Sequence, residues 1–468
     1  MYLFSIRGSF YFLVLFVLVI AACDNFKTRR QSLEVLPQDP AIQVYFNHNP
    51  TSTYEDPYRH FRRQGDNLEK QIIDAIEKAN STVDVAVMEL RLPKIAEELK
   101  RARSRGIKVR ILIDNKYNKT LNEYTQEEIS QMNRHDRKAY EQLKQYPVDA
   151  LALLRQSQIE IKDDTSNGAT KGSGLMHHKF LVVDGKTTII SSGNFTMSDL
   201  HGDFGNLESR GNPNNIVVIP DNANFAKIFT EEFNYMWRGL FKSHKPKRNP
   251  VTIPVGGGTV TVKFSPARPR EDIATTSNGI IASYIQKAKK SVHVAVFVFS
   301  DQKISDTLGN LHAKGVKDIK LLIDPDFIAQ NYSKAYDALG VCPRLGKKNR
   351  LFKVNPWKNP IATVGFPVAA AGDRGVHSKM AILDGMLVIA GSHNWSNSGN
   401  YFNDETLIFI DNPGVAAHYE REFHRLYKTA QLGLVTLPHA RKCEEKLWSQ
   451  PLASDKVVME ESEFLSSF

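Results

Sequence analysis

The stretch His177-His178-Lys179-Phe180-Leu181-Val182-Val183-Asp184-Gly185 decides the fold of this chain, and it runs on to Ser191-Ser192-Gly193-Asn194. A second copy stands at His377-Ser378-Lys379-Met380-Ala381-Ile382-Leu383-Asp384-Gly385 and runs on to Gly391-Ser392-His393-Asn394. Each copy reads His-x-Lys, four apolar or small residues, Asp-Gly, then a serine-containing turn and an asparagine. The separation between the histidine and the asparagine is the same in both copies.

Each copy has the pattern of a β-hairpin. The residues after the lysine are apolar and mostly β-prone, Asp-Gly is a strong two-residue turn signal, and a second β-prone run follows at 187–190 and 387–390. Side chains alternate along a strand, so the histidine and the lysine of each copy share one face. The asparagine follows the second strand, where a loop can return it to the same point.

An imidazole, an ammonium group and a carboxamide therefore converge twice. An ammonium group and an amide suit the oxygens of a phosphate, and an imidazole serves as nucleophile or as general acid and base near neutral pH. Two such half-sites facing each other would hold one phosphodiester between two histidines. The alternative, ordinary polar residues at strand ends, would not explain two copies with identical internal spacing.

With these motifs the sequence resembles the phospholipase D superfamily, whose signature is His-x-Lys-x4-Asp followed by Gly-Ser-x-Asn. The second copy matches in full, and the first departs only in having Ser191 where the family has glycine. The resemblance implies phosphodiester hydrolysis in two steps through a phosphohistidine. By that resemblance His177 is the nucleophile and His377 the acid and base, although the two half-sites are near-equivalent and the sequence leaves this order open.

The resemblance also assigns the other site residues. Lys179, Lys379, Asn194 and Asn394 would hold the non-bridging phosphate oxygens. Each motif is followed by Asn-x-Glu, at 206–208 and 403–405, and the family places a carboxylate here that bonds the histidine and fixes its tautomer.

Glu208 and Glu405 are the residues predicted to orient the histidines. Asp184 and Asp384 stand at the hairpin turns, so a structural role is expected for both. Because no histidine, cysteine or carboxylate cluster has metal-ligand spacing, we expect no metal and no cofactor.

The flanking segments repeat as well. Strand, helix, strand, helix and strand patterns follow one another before the first motif and again, in the same order, before the second. The sequence therefore predicts an α/β fold made of two duplicated α-β-α sandwich domains, with the active site at their pseudo-twofold interface. The predicted segments are a signal peptide (1–22), a lipidated tether (23–40), a first domain (41–241), a linker (242–258), a second domain (259–437) and a tail (438–468).

The N-terminus reads as a leader. Arg7 precedes an apolar run at 10–22 that is short for a membrane span and ends in Ala-Ala-Cys23, which resembles a bacterial lipobox. We expect cleavage before Cys23 and its lipidation, which would tether the chain to the bacterial cell envelope on the periplasmic or extracellular side. An uncleaved anchor is the alternative. In an oxidising compartment Cys342 and Cys443 could pair.

Composition points to anionic partners. The 468 residues are 41% hydrophobic and 24% charged, as in a globular protein, and carry a net charge of +10. Such a charge favours a phospholipid membrane or a nucleic acid. Of two insertions, 115–147 reads as a solvated surface helix, and 345–366 mixes basic and aromatic residues that suit a lipid interface or a nucleic-acid strand.

Several functions remain open at this stage. Phospholipid head-group hydrolysis is favoured by the expected lipid anchor. A nuclease of the same superfamily is supported by the basic charge and by the second motif region, and a phosphatidyltransferase such as a cardiolipin synthase would use the same phosphohistidine. A non-catalytic phosphate-binding module would have decayed motifs, whereas both copies retain histidine, lysine and asparagine.

Overall fold

A computed structural model describes residues 33–268, 270–344, 354–369 and 372–443. The described residues from Leu36 onward form one compact unit. The predicted signal peptide, Cys23 and nearly all of the predicted tail lie outside the described residues. Within the described part of the chain, no helix has both the length and the apolar character needed to cross a bilayer.

The first half builds a mixed sheet covered by helices. Its strands are β1 (Gln43–Phe46), β2 (Thr53–Glu55), β3 (Arg62–Gln64), β4 (Thr82–Val87), β5 (Lys108–Ile113), β6 (Glu160–Asp163), β7 (Lys179–Val183), β8 (Thr187–Ser191) and β9 (Asn215–Ile219). Its helices are α1 (Leu68–Glu77), α2 (Pro93–Ser104), α3 (Gln126–Gln131), α4 (Arg134–Leu143), α5 (Ala150–Gln156), α6 (Met197–Leu200) and α7 (Ala223–Trp237). The seven-stranded sheet has the order β1-β9-β8-β7-β4-β5-β6, and β2 pairs with β3 separately.

The second half repeats this plan. Its strands are β10 (Val251–Val255), β11 (Gly258–Ser265), β12 (Ser291–Val296), β13 (Asp318–Ile323), β14 (Cys342–Pro343), β15 (Val364–Pro367), β16 (Lys379–Leu383), β17 (Leu387–Gly391), β18 (Glu405–Asp411), β19 (Ala430–Leu432) and β20 (Ala440–Arg441). Its helices are α8 (Ser277–Ile285), α9 (Gln302–Ala313), α10 (Pro325–Ile328), α11 (Ala335–Ala338), α12 (Asn397–Tyr401) and α13 (Pro413–Lys428). The nine-stranded sheet has the order β10-β11-β18-β17-β16-β12-β13-β15-β19.

Register shows that the two sheets are copies. In both, the motif hairpin (β7–β8 or β16–β17) is antiparallel, and its first strand pairs antiparallel with a strand that has a parallel neighbour (β4–β5 or β12–β13). The predicted α/β fold of two duplicated sandwich domains is therefore confirmed. The parallel strands are connected through helices α2 and α9, because a parallel pair needs a crossover connection.

The hydrophobic core consists of three clusters of buried apolar residues. One apolar cluster belongs to the first half and one to the second half. The third draws residues from both sheets and from α7 and α13, including Phe180 and Phe229 from the first half and Met380 and Phe423 from the second. Since this central cluster cannot form from one half alone, burial of apolar surface fixes how the two halves sit against each other.

The hairpin aspartates bond backbone amides of the neighbouring strand. Asp184 and Asp384 have φ of 53° and 55°, and each is followed by a glycine of positive φ in the turn. The Asp184 carboxylate accepts hydrogen bonds from the backbone N–H groups of Asn80, Ser81 and Thr82 at 2.7–2.9 Å. Partial burial acts to raise the pKa of the Asp184 carboxyl, but these donors lower it to about 2. Asp384 makes the same contacts with the amides of 289–291.

The segment predicted as a linker is partly structured. Val251–Val255 forms strand β10, which pairs antiparallel with β11. Lys242 and Lys245, which the sequence placed in the linker, are buried. Lys242 bonds Asp164 at 2.6 Å, and Lys245 contacts Glu232 and lies 2.7 Å from Asp404. The segment between the two halves therefore contains a strand, and its lysines neutralise buried carboxylates of both halves.

The structure bears on three further sequence predictions. The insertion 115–147 is helical, but α4 does not simply face solvent, since several of its side chains line the cleft described below. Cys342 and Cys443 form a disulfide bond. In the basic insertion, 345–353 lie outside the described residues, and Trp357 is buried against the second-half core instead of lying on a surface.

We expect Asp184→Asn to lower the free energy of unfolding at pH 7 by about 1 kcal/mol, a value reduced for solvent screening of this partly exposed group. The folded pKa lies below the unfolded one, so the carboxylate's stabilising effect is complete above about pH 4 and disappears as the pH falls towards about 2. Urea unfolding at pH 7 and pH 3 measures this, and the difference between the proteins should shrink at pH 3. Asp221→Asn, at an exposed turn aspartate of positive φ, is the control. Equal losses at both pH values would contradict the assignment.

Candidate active site

Each motif histidine stands immediately before the strand that begins with its lysine. β7 begins at Lys179, which pairs with Val87 of β4. In the same way β16 begins at Lys379, which pairs with Val296 of β12. Both lysines are buried, as is His177, whereas His377 is partly buried. The hairpins thus place the histidine and lysine of each motif at corresponding ends of the two sheets.

Each motif docks on a strand of the opposite half. The N–H of His177 donates to the carbonyl of Asp404 at 2.9 Å, and the N–H of Ser378 donates to the carbonyl of Pro213 at 3.0 Å. The side chain of the residue after His177 also crosses to the opposite half, because the His178 ring bonds the Thr406 hydroxyl at 2.8 Å. These reciprocal contacts bring the two motifs face to face across the pseudo-twofold axis.

Glu405 of the second half orients His177 of the first. Its carboxylate lies 2.7 Å from Nδ1 of His177 and also accepts hydrogen bonds from the Ser392 hydroxyl at 2.7 Å and the Asn403 amide at 3.2 Å. Glu405 is fully buried, and that burial raises its pKa. Because Nδ1 of His177 faces an acceptor, that nitrogen carries the proton and Nε2 keeps its lone pair.

The corresponding position in the first half is Asn214. Pairing of β8 with β9 and of β17 with β18 makes Asn214 the counterpart of Glu405, and the Ser192 hydroxyl bonds Asn214 at 2.7 Å as Ser392 bonds Glu405. The Asn214 oxygen lies 3.0 Å from Nδ1 of His377. An amide therefore stands where the sequence predicted a carboxylate.

The prediction that Glu208 orients His377 is wrong. Glu208 is exposed, and its backbone N–H bonds the Asn206 side chain in a turn before β9. The Asn-x-Glu pattern at 206–208 has the same residue types as 403–405 of the second half, but it lies at a different position relative to the following strand. Alignment on the following apolar strand would have found Asn212-x-Asn214, which lies in register with Asn403-x-Glu405.

Asp199 is a site residue that sequence reasoning missed. Its Oδ1 lies 3.4 Å from Nδ1 of His377. The carboxylate is held by the Asn194 N–H and the Asn212 amide, each at 2.7 Å. Burial acts to raise the pKa of Asp199, but the charge of His377 and these hydrogen bonds lower it overall. His377 therefore has an ionised carboxylate beside it despite the amide at 214.

The two halves differ at the position of Asp199. Five residues after Asn394 the second half has Gly399, where an added Cβ would come within 2.5 Å of the Asn394 carbonyl oxygen. The difference between Ser191 and Gly391 has a similar cause. Gly391 has φ of 129°, and a Cβ there would meet the Thr406 carbonyl at 2.2 Å, whereas the Ser191 hydroxyl caps its own turn by bonding Gly193. The half-sites are thus related but not equivalent.

The two motif lysines, Lys179 and Lys379, supply positive charge to the site. Lys179 and Lys379 donate to the carbonyls of His177 and His377 at 3.0 and 2.7 Å. Burial, opposed by several more distant carboxylates, lowers the pKa of Lys179 to about 8, and burial together with the charge of Lys179 lowers the pKa of Lys379 to about 7. An anion placed between them would relieve this repulsion and favour their charged forms.

Both motif asparagines have unused hydrogen-bonding capacity. Among the described residues, the buried side-chain oxygens of Asn194 and Asn394 have no partner. Both residues line the cleft that also contains His177 and His377. Since an amide can be turned to present either its oxygen or its NH₂ group, both asparagines are available to a ligand.

Burial lowers the pKa of both motif histidines. The pKa of His177 lies well below its usual value because of burial and the charges of Lys179 and Lys379. Burial also lowers the pKa of His377, where Asp199 acts in the opposite direction. A neutral imidazole is the form that can act as a nucleophile.

The cleft has a volume of about 1000 Å³ and a mixed lining. Apolar and aromatic residues contribute part of its wall, and these are Met88, Tyr117, Leu143, Tyr146, Leu175, Phe297, Val298 and Phe327. The charged residues that line it are five basic ones, Arg91, Lys116, Arg134, Lys138 and Arg374, and five acidic ones, Glu89, Asp199, Asp203, Asp326 and Asp373. Arg134 and Lys138 come from α4 of the first insertion, which therefore forms part of the ligand-binding wall.

Known proteins resemble this chain in sequence. The family model described as "Cardiolipin synthase, PLD-like domain" matches residues 72–237 and 281–427. A mitochondrial cardiolipin hydrolase of Xenopus tropicalis is 25% identical over 143 residues, which are 30% of this chain and 57% of that protein. A phospholipase D of Rickettsia prowazekii (strain Madrid E) is 30% identical over 139 residues, again 30% of this chain and 57% of that protein.

A solved structure shows the same fold over nearly the whole chain. It is a phosphatidylserine synthase from Haemophilus influenzae Rd KW20, with a TM-score of 0.50 and 13% identity, and the match covers 92% of this chain and 94% of that one. At this identity the likeness supports the fold of two related halves and carries no information on the substrate.

We expect Asp199→Asn to lower the pKa of His377 further, because the variant removes the negative charge that favours its imidazolium form. The pKa of His377 can be followed by NMR of histidine-labelled protein. Asp203→Asn is the matched control, since Asp203 lines the same cleft without bonding either motif histidine. An unchanged pKa of His377 in Asp199→Asn would show that Asp199 does not act on it.

Proposed function

This chain belongs to the phospholipase D-like family described above, and we propose that it is a phosphodiester hydrolase of phospholipase D type that cleaves phospholipid head groups. The observation that carries the proposal is the meeting of a His-Asn pair from each half in a single cleft, beside the buried charges of Lys179 and Lys379 that act on His177. The named relatives are a cardiolipin hydrolase and a phospholipase D, but the chain spans only 57% of the length of each.

The first chemical step is attack on phosphorus. Glu405 fixes the proton on Nδ1 of His177, which leaves the Nε2 lone pair to form the N–P bond. The bond from phosphorus to the head-group oxygen breaks, and His377, in the imidazolium form that the carboxylate of Asp199 favours, donates its proton to that leaving oxygen. Charge on the non-bridging oxygens is stabilised by Lys179 and Lys379 together with the amides of the two motif asparagines.

The second step releases the phosphohistidine. Neutral His377 accepts a proton from water, whose oxygen forms a new bond to phosphorus as the N–P bond to His177 breaks. The products are a phosphatidic acid and a free head-group alcohol, and both histidines return to their starting forms. An alcohol in place of water would give transfer instead of hydrolysis by the same route.

The asymmetry of the half-sites supports this assignment of roles. His377 must become positively charged in the cycle, and it has the ionised carboxylate of Asp199 3.4 Å from Nδ1. His177 needs a fixed tautomer and a free lone pair, and it has the close hydrogen bond with Glu405. Each histidine thus has the neighbour that its step requires.

The lining of the cleft favours a lipid over a nucleic acid. Its five basic residues are matched by five acidic ones, whereas a nucleic-acid groove needs an excess of positive charge along its length. Its apolar and aromatic wall suits the glycerol backbone and acyl ester region of a phospholipid. The lipobox-like sequence at Cys23 would place the enzyme on the cell envelope, next to its substrate.

A nuclease of the same family is the second candidate, supported by the net charge of +10. The nuclease and the phospholipase would use the same histidines, so only the substrate distinguishes them.

The test offers the full-length chain in detergent either phosphatidylglycerol and cardiolipin vesicles or single-stranded DNA, with EDTA present. We expect head-group release from lipid and no DNA cleavage. His177→Ala and His377→Ala should each lower the rate by about 10³-fold or more, since each removes a group that makes or breaks a bond. His439→Ala, at an exposed histidine, is the control.

DNA cleavage without lipid cleavage would move the assignment to nuclease. Product phospholipid with an added alcohol, in place of phosphatidic acid, would identify a transferase. Full activity in both histidine variants would contradict the two-histidine mechanism itself.

A further inference from the structure

A second cluster of chemically reactive side chains lies on the second half, away from the cleft. His293 on β12 meets Glu420 and His424 on α13, with Nδ1 of His293 2.8 Å from Glu420 and Nε2 of His424 3.6 Å from the same carboxylate. The potential ligand atoms of the three residues all lie within 4.8 Å of one another. Residues 420 and 424 are four apart, so they project from the same face of the helix.

The first half has nothing comparable at the matching positions. Strand register makes Asp84 the counterpart of His293 and Arg110 that of Lys320, and Asp84 and Arg110 form an ion pair at 2.7 Å. Alignment of α7 with α13 on Glu232-Phe233 and Glu422-Phe423 matches Glu420 with Thr230 and His424 with Asn234. Only the second half therefore has two imidazoles and a carboxylate at this place.

We propose that His293, Glu420 and His424 bind one divalent transition-metal ion of the zinc class. Two imidazole nitrogens and one carboxylate oxygen are a common donor set for Zn²⁺, and water would take the fourth position of a tetrahedral ion. Zinc bonds of about 2.0–2.2 Å require the ligand atoms to be about 3.4 Å apart. His424 is 60% exposed and can move inward by the small distance needed, whereas His293 is fixed by stacking on Phe423 at 4.8 Å.

Asp318 completes the arrangement as a partner of a ligand. Its carboxylate lies 3.1 Å from Nε2 of His293, on the far side of the ring from the other two residues. With Nδ1 bound to the metal, Nε2 carries the proton and donates to Asp318, which fixes the ring and increases its basicity. Lys320 lies 3.2 Å from Nε2 of His293 in the metal-free protein. With the metal bound, Lys320 would keep its ion pair with Asp318.

The site is distinct from the active site. Asp318 begins β13 and pairs with Ser291 at the beginning of β12, while the catalytic Lys379 pairs with Val296 at the other end of β12. A metal here would join α13 to the sheet beneath it and take no part in phosphoryl transfer. The proposal is therefore independent of the proposed function.

The test titrates Zn²⁺ into the full-length chain, purified without a histidine tag, against a chromophoric chelator. Wild type should bind one equivalent more than His424→Ala, and Glu420→Gln should bind at that site at least tenfold more weakly. His60→Ala is the matched control, because His60 is also an exposed histidine with a glutamate at 3.5 Å, and it should bind like wild type.

Thermal unfolding gives a second readout. Added Zn²⁺ should raise the Tm of wild type and of His60→Ala more than that of His424→Ala, since a ligand bound only to the folded state stabilises it. Equal zinc stoichiometry and equal Tm shifts in wild type and His424→Ala would overturn the proposal. Because His424 is exposed, its substitution should leave the fold intact, and circular dichroism without metal verifies this.

Discussion

The hydrogen bond between Glu405 and His177 crosses from one half of the chain to the other, and the candidate site depends on it. The carboxylate is fully buried and lies 2.7 Å from the ring, so its position is set by Ser392 and Asn403 of its own half. Neither half alone has both the histidine and its orienting group. The central apolar cluster between the two sheets fixes the distance between the halves and thereby keeps this bond short.

Duplication has given two half-sites that share a plan but differ in electrostatics. Asn214 and Glu405 occupy matching positions where β9 and β18 begin. Asp199 supplies a carboxylate from a different element, the short helix α6. His377 consequently has an amide in hydrogen-bonding contact and a carboxylate slightly farther away, whereas His177 has a carboxylate in direct contact. Such a difference suits two histidines that perform different steps of one reaction.

The sequence predicted the elements and the motif because both depend on local pattern. Alternating and helical periodicity located the strands and helices, and the Asp-Gly turns located the hairpins that carry His177 and His377. It failed where residues distant in sequence decide the environment. Asn214 was missed because only strand register shows that it faces His377, and Asp199 was missed because it comes from the short helix α6, outside the repeated motif. The burial of lysines 242 and 245 could not be predicted because two of their carboxylate partners, Asp164 and Asp404, lie far along the chain.

The cluster of His293, Glu420 and His424 illustrates the same limit. Glu420 and His424 stand four residues apart on one helix, but His293 is more than a hundred residues away, so sequence spacing alone did not reveal the cluster. Arg134 and four further residues of α4 line the cleft, although the polar pattern of that insertion is typical of a solvated helix. In both places tertiary packing gives the polar residues their partners.

The central claim is that His177 forms a covalent bond to phosphorus while His377 moves protons. The most direct test uses His377→Ala with a phosphatidyl-p-nitrophenol substrate, whose leaving group needs no protonation. We expect one equivalent of p-nitrophenol in a burst and, by mass spectrometry of the peptide that contains 177, an acid-labile phosphatidyl adduct on His177. No burst and no adduct in His377→Ala, with an adduct on His377 in His177→Ala, would contradict the account.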